Sequence, residues 1–161
     1  MSGSSPKIGA LDGSQLKASI VTSSWHPDIC DALVSGAKKA LDEAGCKNVS
    51  LHKVAGSFEI PLAAQKLLDA GSDLVIAIGL ILKGDTPHFD YVCQGVTQGI
   101  MQVSLTRSKP IGFGVLTVDT VEQAIARSGI AGSKEDKGFD STVAVFELLR
   151  VKRDLPVLRK S

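Results

Sequence analysis

The segment at residues 83–88 carries residue types that suit phosphate binding and proton transfer. It reads Lys-Gly-Asp-Thr-Pro-His and follows an uninterrupted apolar run. Glycine lets the backbone approach an anion closely, and the Thr86 hydroxyl can donate a hydrogen bond to it. His88 is the best proton-transfer candidate of the chain, because an unperturbed imidazole titrates near neutral pH. The segment therefore predicts a site that holds a phosphate ester and moves protons beside it.

Two other interpretations of this segment are a plain helix cap and a nucleotide-binding loop. A helix is predicted to begin after the Gly-Asp-Thr turn, and its first amide groups would attract an anion. Alternatively, Asp85 or Thr86 caps that helix by accepting hydrogen bonds from the same amides. Residues 79–86 further resemble a nucleotide-binding P-loop, but Asp85 occupies the position of the required lysine. Since residues 80–82 are strand-like, the sequence argues against a nucleoside triphosphatase.

Composition places the chain among ordinary globular proteins. The sequence has 161 residues, 43% of them hydrophobic, and a formal net charge of +1. This length suits one domain, and the balanced charge indicates neither a nucleic-acid partner nor a membrane surface. Residues 1–16 are small, polar and glycine-rich. We therefore expect a flexible N-terminal arm over residues 1–16 and one domain over residues 17–161.

The cysteines give a second compositional indication. Cys30, Cys46 and Cys93 are odd in number, and no pair has the spacing of metal ligands. We expect reduced thiols in a cytoplasmic protein, and no metal site.

Hydrophobic patterns alternate between strands and helices along the chain. The predicted strands cover residues 17–25, 48–54, 73–82 and 109–118. The predicted helices cover residues 26–46, 58–71, 87–106 and 120–129, with a last helix after the loop at 130–138. Such alternation indicates a parallel sheet with right-handed crossovers. We expect a three-layer, flavodoxin-like α/β fold whose four strands lie in the order 2-1-3-4.

This topology predicts where a site should lie. Ligands of open α/β sheets bind beyond the carboxyl ends of the strands, at the point where the strand order reverses. In this chain the point lies between the first and third strands, which end near Trp25 and at segment 83–88. The second strand ends at residues 55–59, on the same edge. Trp25 offers a flat face for an aromatic heterocycle, although a tryptophan also suits simple packing.

Six motifs give the chain a resemblance to a known family. In chain order they read SSWH, AGSFEIP, GLILKGDTPHFDYV, GFGVLT, EQAIARSG and EDKG, within residues 17–150. This set resembles the lumazine synthases, and the likeness is strongest to actinobacterial members. The resemblance implies the penultimate step of riboflavin biosynthesis. In that step 5-amino-6-(D-ribitylamino)uracil condenses with 3,4-dihydroxy-2-butanone 4-phosphate to 6,7-dimethyl-8-ribityllumazine, phosphate and water, without a metal or cofactor.

The resemblance also implies roles for individual positions. His88 takes the proton-donor position of the family. Binding of the pyrimidine and its ribityl chain is assigned to Trp25, Ser57, Phe58, Glu59, Leu80, Ile81, Leu82 and Phe113. Phosphate binding is assigned to Asp85, Thr86, Arg127 and Lys137. Because a carboxylate that faces a phosphate would repel it, we expect Asp85 to offer its backbone amide and turn its side chain outward.

An oligomer follows from the same resemblance. In the family, Phe113, Arg127 and the segment around Lys137 reach the site from a neighbouring subunit. Lumazine synthases occur as pentamers and as icosahedral shells built from pentamers. The loop at 128–138 is longer here than in shell-forming members, and a longer loop would crowd the contact between pentamers. We therefore expect an isolated pentamer that acts on small molecules, with no nucleic-acid or membrane partner.

Three alternative functions would use the same fold. A non-catalytic flavin or lumazine carrier would stack its ligand on Trp25, but it would have no use for His88, Arg127 and Lys137. A structural shell protein would not require a stacking tryptophan beside an anion-binding turn. A phosphorelay receiver needs acidic residues at the end of its first strand, where residues 23–25 of this chain are Ser-Ser-Trp. The sequence therefore favours the enzyme.

Overall fold

The computed structural model describes residues 12–156. In chain order its elements are β1 (Lys17–Ser23), α1 (Pro27–Glu43), β2 (Asn48–Val54), a 3₁₀ turn (Ser57–Glu59), α2 (Ile60–Asp69), β3 (Leu74–Leu82), α3 (His88–Arg107), β4 (Ile111–Val118), α4 (Val121–Ile125) and α5 (Lys137–Asp154). Each predicted strand and helix is present, and the bounds differ mainly at the ends. Of the arm predicted at residues 1–16, residues 1–11 lie outside the described residues.

The four strands form one parallel sheet in the order β2-β1-β3-β4, which confirms the predicted topology. One row across the sheet joins Leu51 of β2, Ile20 of β1, Ile76 of β3 and Gly112 of β4. The order reverses between β1 and β3. The carboxyl ends of these two central strands therefore open a crevice at one edge of the sheet.

Helices cover both faces of the sheet, as predicted for a three-layer fold. Side chains alternate between the faces along each strand. On one face Ile20, Ile76 and Ile78 pack with Leu33 and Phe146, from the layer of α1 and α5. On the other face β3 turns Val75 and Ala77 toward α2 and α3. Because both faces are covered, β3 is buried along nearly its whole length.

Helix α1 shows how the sequence pattern fixes one of these contacts. Ile29, Leu33, Ala37 and Leu41 recur every fourth residue, and all four are buried against the sheet. Pro27 stands in the first turn, where no intrahelical N–H is lost. The helix ends before Gly45, whose φ of 77° lies in the left-handed region.

Several predicted elements are shorter than expected, among them the first strand and helix α4. The first strand ends at Ser23, and the backbone N–H of Ser24 still donates to Val54 O of β2 at 3.0 Å. Helix α4 has five residues and stops at Ile125, because the next carbonyl, that of Ala126, accepts hydrogen bonds from a later loop. No helix within residues 12–156 combines the length and the apolar character that a membrane crossing requires.

Candidate active site

A cleft of about 490 Å³ opens beyond the carboxyl ends of β1 and β3. Its volume lies in the usual range for small-molecule sites. Four segments contribute to it: the β1–α1 turn, the 3₁₀ turn after β2, the end of β3 and the start of α3. The lining residues are Trp25, His26, Gly56, Ser57, Phe58, Leu80, Ile81, Leu82, Lys83, Gly84, Thr86, His88, Phe89 and Val92.

The structure brings together most of the site residues named from the sequence. The predicted residues that line the cleft are Trp25, Ser57, Phe58, Leu80, Ile81, Leu82, Thr86 and His88. Two more, Glu59 and Asp85, adjoin lining residues without lining the cleft themselves. Phe113, Arg127 and Lys137 belong to β4, the chain after α4 and the start of α5, beyond the cleft of their own subunit. The roles assigned to these residues remain predictions.

Trp25 projects its indole from a backbone that is held in place. The Trp25 carbonyl accepts a hydrogen bond from Cys30 Sγ at 3.3 Å, and the next residue, His26, adopts a left-handed φ of 50°. Burial raises the pKa of the Cys30 thiol, so the thiol keeps the proton that it donates. The Trp25 side chain is 66% exposed. An aromatic face is therefore presented to the cleft without being used in the core.

The 3₁₀ turn lies beside the indole and is hydrogen-bonded to β3. Gly56 N donates to Glu59 Oε2 at 2.8 Å, and a β-carbon on Gly56 would lie 3.7 Å from Trp25 Nε1. Ser57 Oγ donates to Leu80 O at 3.3 Å, over Gly79. A β-carbon on Gly79 would lie 2.6 Å from that hydroxyl oxygen, so only glycine leaves room for it. The hydroxyl of Ser57 thus holds the turn on the sheet.

Phe58 forms a wall of the cleft. Its ring lies over Gly95 of α3, where an added β-carbon would lie 2.8 Å from Phe58 Cε2. The side chain is nevertheless 61% exposed. The ring therefore has one face on α3 and further apolar surface available to a ligand or to a neighbouring chain.

The start of α3 is open to an anion. No side chain caps this helix, whose N-cap position is Pro87, so the alternative that Asp85 or Thr86 caps it is wrong. The N–H groups of His88 and Phe89 lack intrahelical partners, and they point toward the helix end together with its positive dipole, whereas Asp90 N donates to Pro87 O at 3.0 Å. Thr86 lines the cleft at this end, whereas Asp85 is exposed and does not line it.

Arg127 and Lys137 are brought together on a loop that we call the cation clasp, residues 126–137. Lys137 N donates to Arg127 O at 2.9 Å, and Lys134 N and Glu135 N both donate to Ala126 O at 3.0 Å. These hydrogen bonds bring the backbones of Arg127 and Lys137 side by side, although the two residues are ten positions apart in the chain. Neither cation lines the cleft of its own subunit.

Both side chains of the clasp are held by local partners. Arg127 Nη1 donates to Gln123 O at 2.9 Å. Lys137 Nζ lies 2.5 Å from Glu135 Oε2 and 3.2 Å from Asp140 Oδ2. These carboxylates, Glu135 first, raise the pKa of Lys137, so its ammonium stays charged at neutral pH.

Six lining residues are not among the individually predicted site residues: His26, Gly56, Lys83, Gly84, Phe89 and Val92. His26, Gly56, Lys83 and Gly84 belong to the strand exits that the sequence placed at this edge. Periodicity offered a signal for Val92, which lies one helical turn after His88 on the same face of α3. The others adjoin predicted site residues in the turns.

An open, flavodoxin-like sheet with a small-molecule cleft at its switch point defines this chain as an α/β protein with a binding or catalytic site between β1 and β3. The sequence model of the family described as 6,7-dimethyl-8-ribityllumazine synthase matches residues 15–153. The chain belongs to this family, and the resemblance seen in the six motifs is confirmed.

Individual relatives agree with this assignment. The 6,7-dimethyl-8-ribityllumazine synthase of Kineococcus radiotolerans is 46% identical over 154 residues, which cover 96% of this chain and 95% of that protein. The synthase of Streptomyces coelicolor is 48% identical, with 86% of each chain covered. That of Paenarthrobacter aurescens is 51% identical over 84% of this chain and 83% of the relative. The chain is therefore a transferase of riboflavin biosynthesis, and the carrier alternative gains no support.

Proposed function

We propose that the cleft condenses 5-amino-6-(D-ribitylamino)uracil with 3,4-dihydroxy-2-butanone 4-phosphate, and that the site is completed by a neighbouring subunit of a cytoplasmic pentamer. One observation carries this proposal. The cleft gathers Trp25 from the β1–α1 turn and Thr86 and His88 from the segment between β3 and α3, whereas Arg127 and Lys137 stand together elsewhere on the chain. A second copy is needed to bring those cations to a cleft.

The pyrimidine ring would stack on the Trp25 indole. The carboxyl end of β3, at Leu80, Ile81 and Leu82, would line the edge of the pyrimidine ring through its backbone groups. Glu59 would accept hydrogen bonds from ribityl hydroxyls, since Gly56 N already orients its carboxylate. Ser57 supports this arrangement by fixing the turn to Leu80 O. Phe113 of the neighbour would close the pocket over the ring.

The phosphate would lie at the start of α3. The backbone around Gly84, the Thr86 hydroxyl and the first amides of the helix can all donate to its oxygens. Asp85 is exposed, which fits a role through its backbone amide alone. Arg127 of the neighbour would bind the phosphate in a bidentate manner, with Lys137 as a second cation. Together they would stabilise the charge that develops as phosphate leaves.

The reaction requires several proton transfers and no redox step. The 5-amino group adds to the ketone, and loss of water gives an imine. Elimination of phosphate follows, then the ribitylamino nitrogen closes the ring, and a second water is lost. His88 lines the cleft beside Thr86 and is exposed, so its imidazole can give and take these protons. Holding both substrates in one cleft supplies the rest of the acceleration by orientation.

Exposed apolar side chains support the oligomer. Met101 and Leu105 line an apolar groove on the outer side of α3, and each is more than half exposed. Phe113 of β4 and Ile125 of α4 are 44% and 41% exposed. Contiguous apolar surface of this kind commonly marks protein contacts. A head-to-tail ring, in which each subunit gives one surface and receives another, would cover such side chains.

Sedimentation should show one species with five times the mass of the chain. The length of the loop at 128–138 argues against further assembly into a shell. Analytical ultracentrifugation of the full-length protein measures this directly. A capsid-sized particle would contradict the isolated pentamer, and an active monomer would contradict the shared site.

The single tryptophan gives a direct probe of pyrimidine binding. We expect the pyrimidine substrate alone to quench the fluorescence of Trp25, because the ring stacks on the exposed indole. Replacing Trp25 by Leu should raise the KM of this substrate about fivefold, in line with the energy of an aromatic contact. Ribitol, which lacks the ring, is the control ligand. Unchanged fluorescence at saturating pyrimidine would argue against stacking.

A further inference from the structure

Asp136 occupies a slot formed by backbone. A β-carbon on Gly36 of α1 would lie 2.2 and 2.4 Å from the two carboxylate oxygens of Asp136, and one on Gly129 would lie 2.5 Å from Oδ2. Only residues without a side chain leave room for the carboxylate at these two positions. Asp136 Oδ1 accepts a hydrogen bond from Phe139 N at 2.9 Å and so caps α5. One side chain thus joins α1, the loop after α4 and the start of α5.

The backbone around Asp136 is closely packed against α1. A β-carbon on Gly138 would lie 1.9 Å from Leu33 O, so the start of α5 is pressed against α1. Within the cation clasp, the Asp136 backbone bridges to Ser128. The clasp closes on itself through backbone hydrogen bonds. It contacts α1 through the Asp136 carboxylate, and Ile130 packs against the core cluster that includes residues of α1.

We propose that Asp136 is a positioning residue for phosphate binding: held in its glycine slot, it fixes where the cation clasp presents Arg127 and Lys137 to the neighbouring cleft. This inference rests on the proposed role of those two cations. Without the carboxylate, the clasp keeps its internal hydrogen bonds but loses the polar contact that sets its position against Gly36 of α1. A displacement of about 1 Å is enough to cost about 10²-fold in a well-aligned site.

The charge of Asp136 is not needed to fill the slot. Burial raises the pKa of this carboxyl, and Asp140 of α5 adds to the rise. The hydrogen bonds from the backbone of Phe139 and Gly138 oppose it, and Lys39 of α1 opposes it more weakly. A raised pKa in the folded chain means that the stabilisation is present below the ordinary carboxyl pKa and is lost as the pH rises through the raised value. An uncharged amide of the same shape should therefore be tolerated at neutral pH.

Three variants of the full-length chain test the inference by steady-state kinetics. Asp136→Ala empties the slot, Asp136→Asn refills it, and Asp73→Ala is the matched control. Asp73 accepts a hydrogen bond from Lys17 N at 2.8 Å, at the amino end of the sheet. We expect Asp136→Ala to raise the KM of the phosphate-bearing substrate at least tenfold. The KM of the pyrimidine should stay within about twofold in all three variants, and Asp136→Asn should restore the phosphate-substrate KM to within about threefold.

The outcomes separate this inference from the proposed function. An Arg127→Ala enzyme with unchanged kinetics would remove the proposed role of the clasp itself. If Arg127→Ala is impaired while a folded Asp136→Ala enzyme is not, the positioning role of Asp136 is wrong. Gly36→Ala, which would push a methyl group into the carboxylate from α1, should raise the same KM. Loss of folding in both Asp136→Ala and Gly36→Ala would overturn the inference, because the carboxylate would then serve the whole fold.

Discussion

Replacing Arg127 by Ala is expected to lower kcat/KM by about 10³-fold, the upper range for removing one transition-state donor. The side chain would act twice, because it binds the phosphate of the second substrate and stabilises that phosphate as it leaves. The KM of the phosphate-bearing substrate should therefore rise and kcat should fall. Steady-state kinetics with each substrate varied in turn separates the two effects.

Two further variants make the Arg127 result specific. Arg127→Lys keeps the charge but loses the bidentate geometry, so it should lie between the wild type and Arg127→Ala. Arg150, near the far end of α5, pairs with Glu147 and provides a matched arginine away from the clasp. Arg150→Ala should leave both KM values unchanged. An unaffected Arg127→Ala enzyme would refute its phosphate role.

Replacing His88 by Ala is expected to slow the reaction about 10²-fold without abolishing it, since general acid–base catalysis contributes about 10²–10⁴-fold. Substrate orientation and phosphate stabilisation would persist. The loss should fall on kcat, with both KM values little changed, because the imidazole acts on protons rather than on binding. The exposed position of His88 predicts little loss of stability.

Imidazole added to the buffer provides a check on this role. The cleft is open to solvent, so free imidazole should restore part of the activity of His88→Ala. His52 offers a control, because it is exposed on β2 and contacts Ser50 Oγ at 3.0 Å. His52→Ala should keep wild-type kinetics. An unchanged kcat in His88→Ala would show that another group moves the protons.

The two variants together test whether the site is shared between subunits. Each subunit of Arg127→Ala retains His88, and each subunit of His88→Ala retains Arg127. If a ring assembles from both after unfolding and refolding of the mixture, about a quarter of the interfaces should hold an intact site. Activity well above that of either parent is the expected result. A mixture no more active than its parents would place both residues in one subunit's site.

Local patterns in the sequence were enough to predict the fold. The apolar run of β3 indicated a strand that is covered on both faces, and the four-residue spacing of α1 indicated its core face. Both patterns reflect burial of a regular element, which depends on near neighbours in the chain. The alternation of strands and helices then indicated parallel pairing, and the order 2-1-3-4 placed the β1 and β3 exits side by side. The six motifs identified the family.

Only the tertiary structure decided how individual side chains are used. The Ser57 hydroxyl donates a hydrogen bond to Leu80 O because Gly79 leaves room for it, and no local sequence pattern encodes this close approach. Whether Asp85 caps α3 was open in the sequence, since a cap depends on backbone angles that the surrounding turn imposes. Asp136 likewise looked like an ordinary loop residue until α1 and α5 brought Gly36 against it. Such contacts join segments that are distant in the chain, so their geometry is set by how the layers pack rather than by the order of residues.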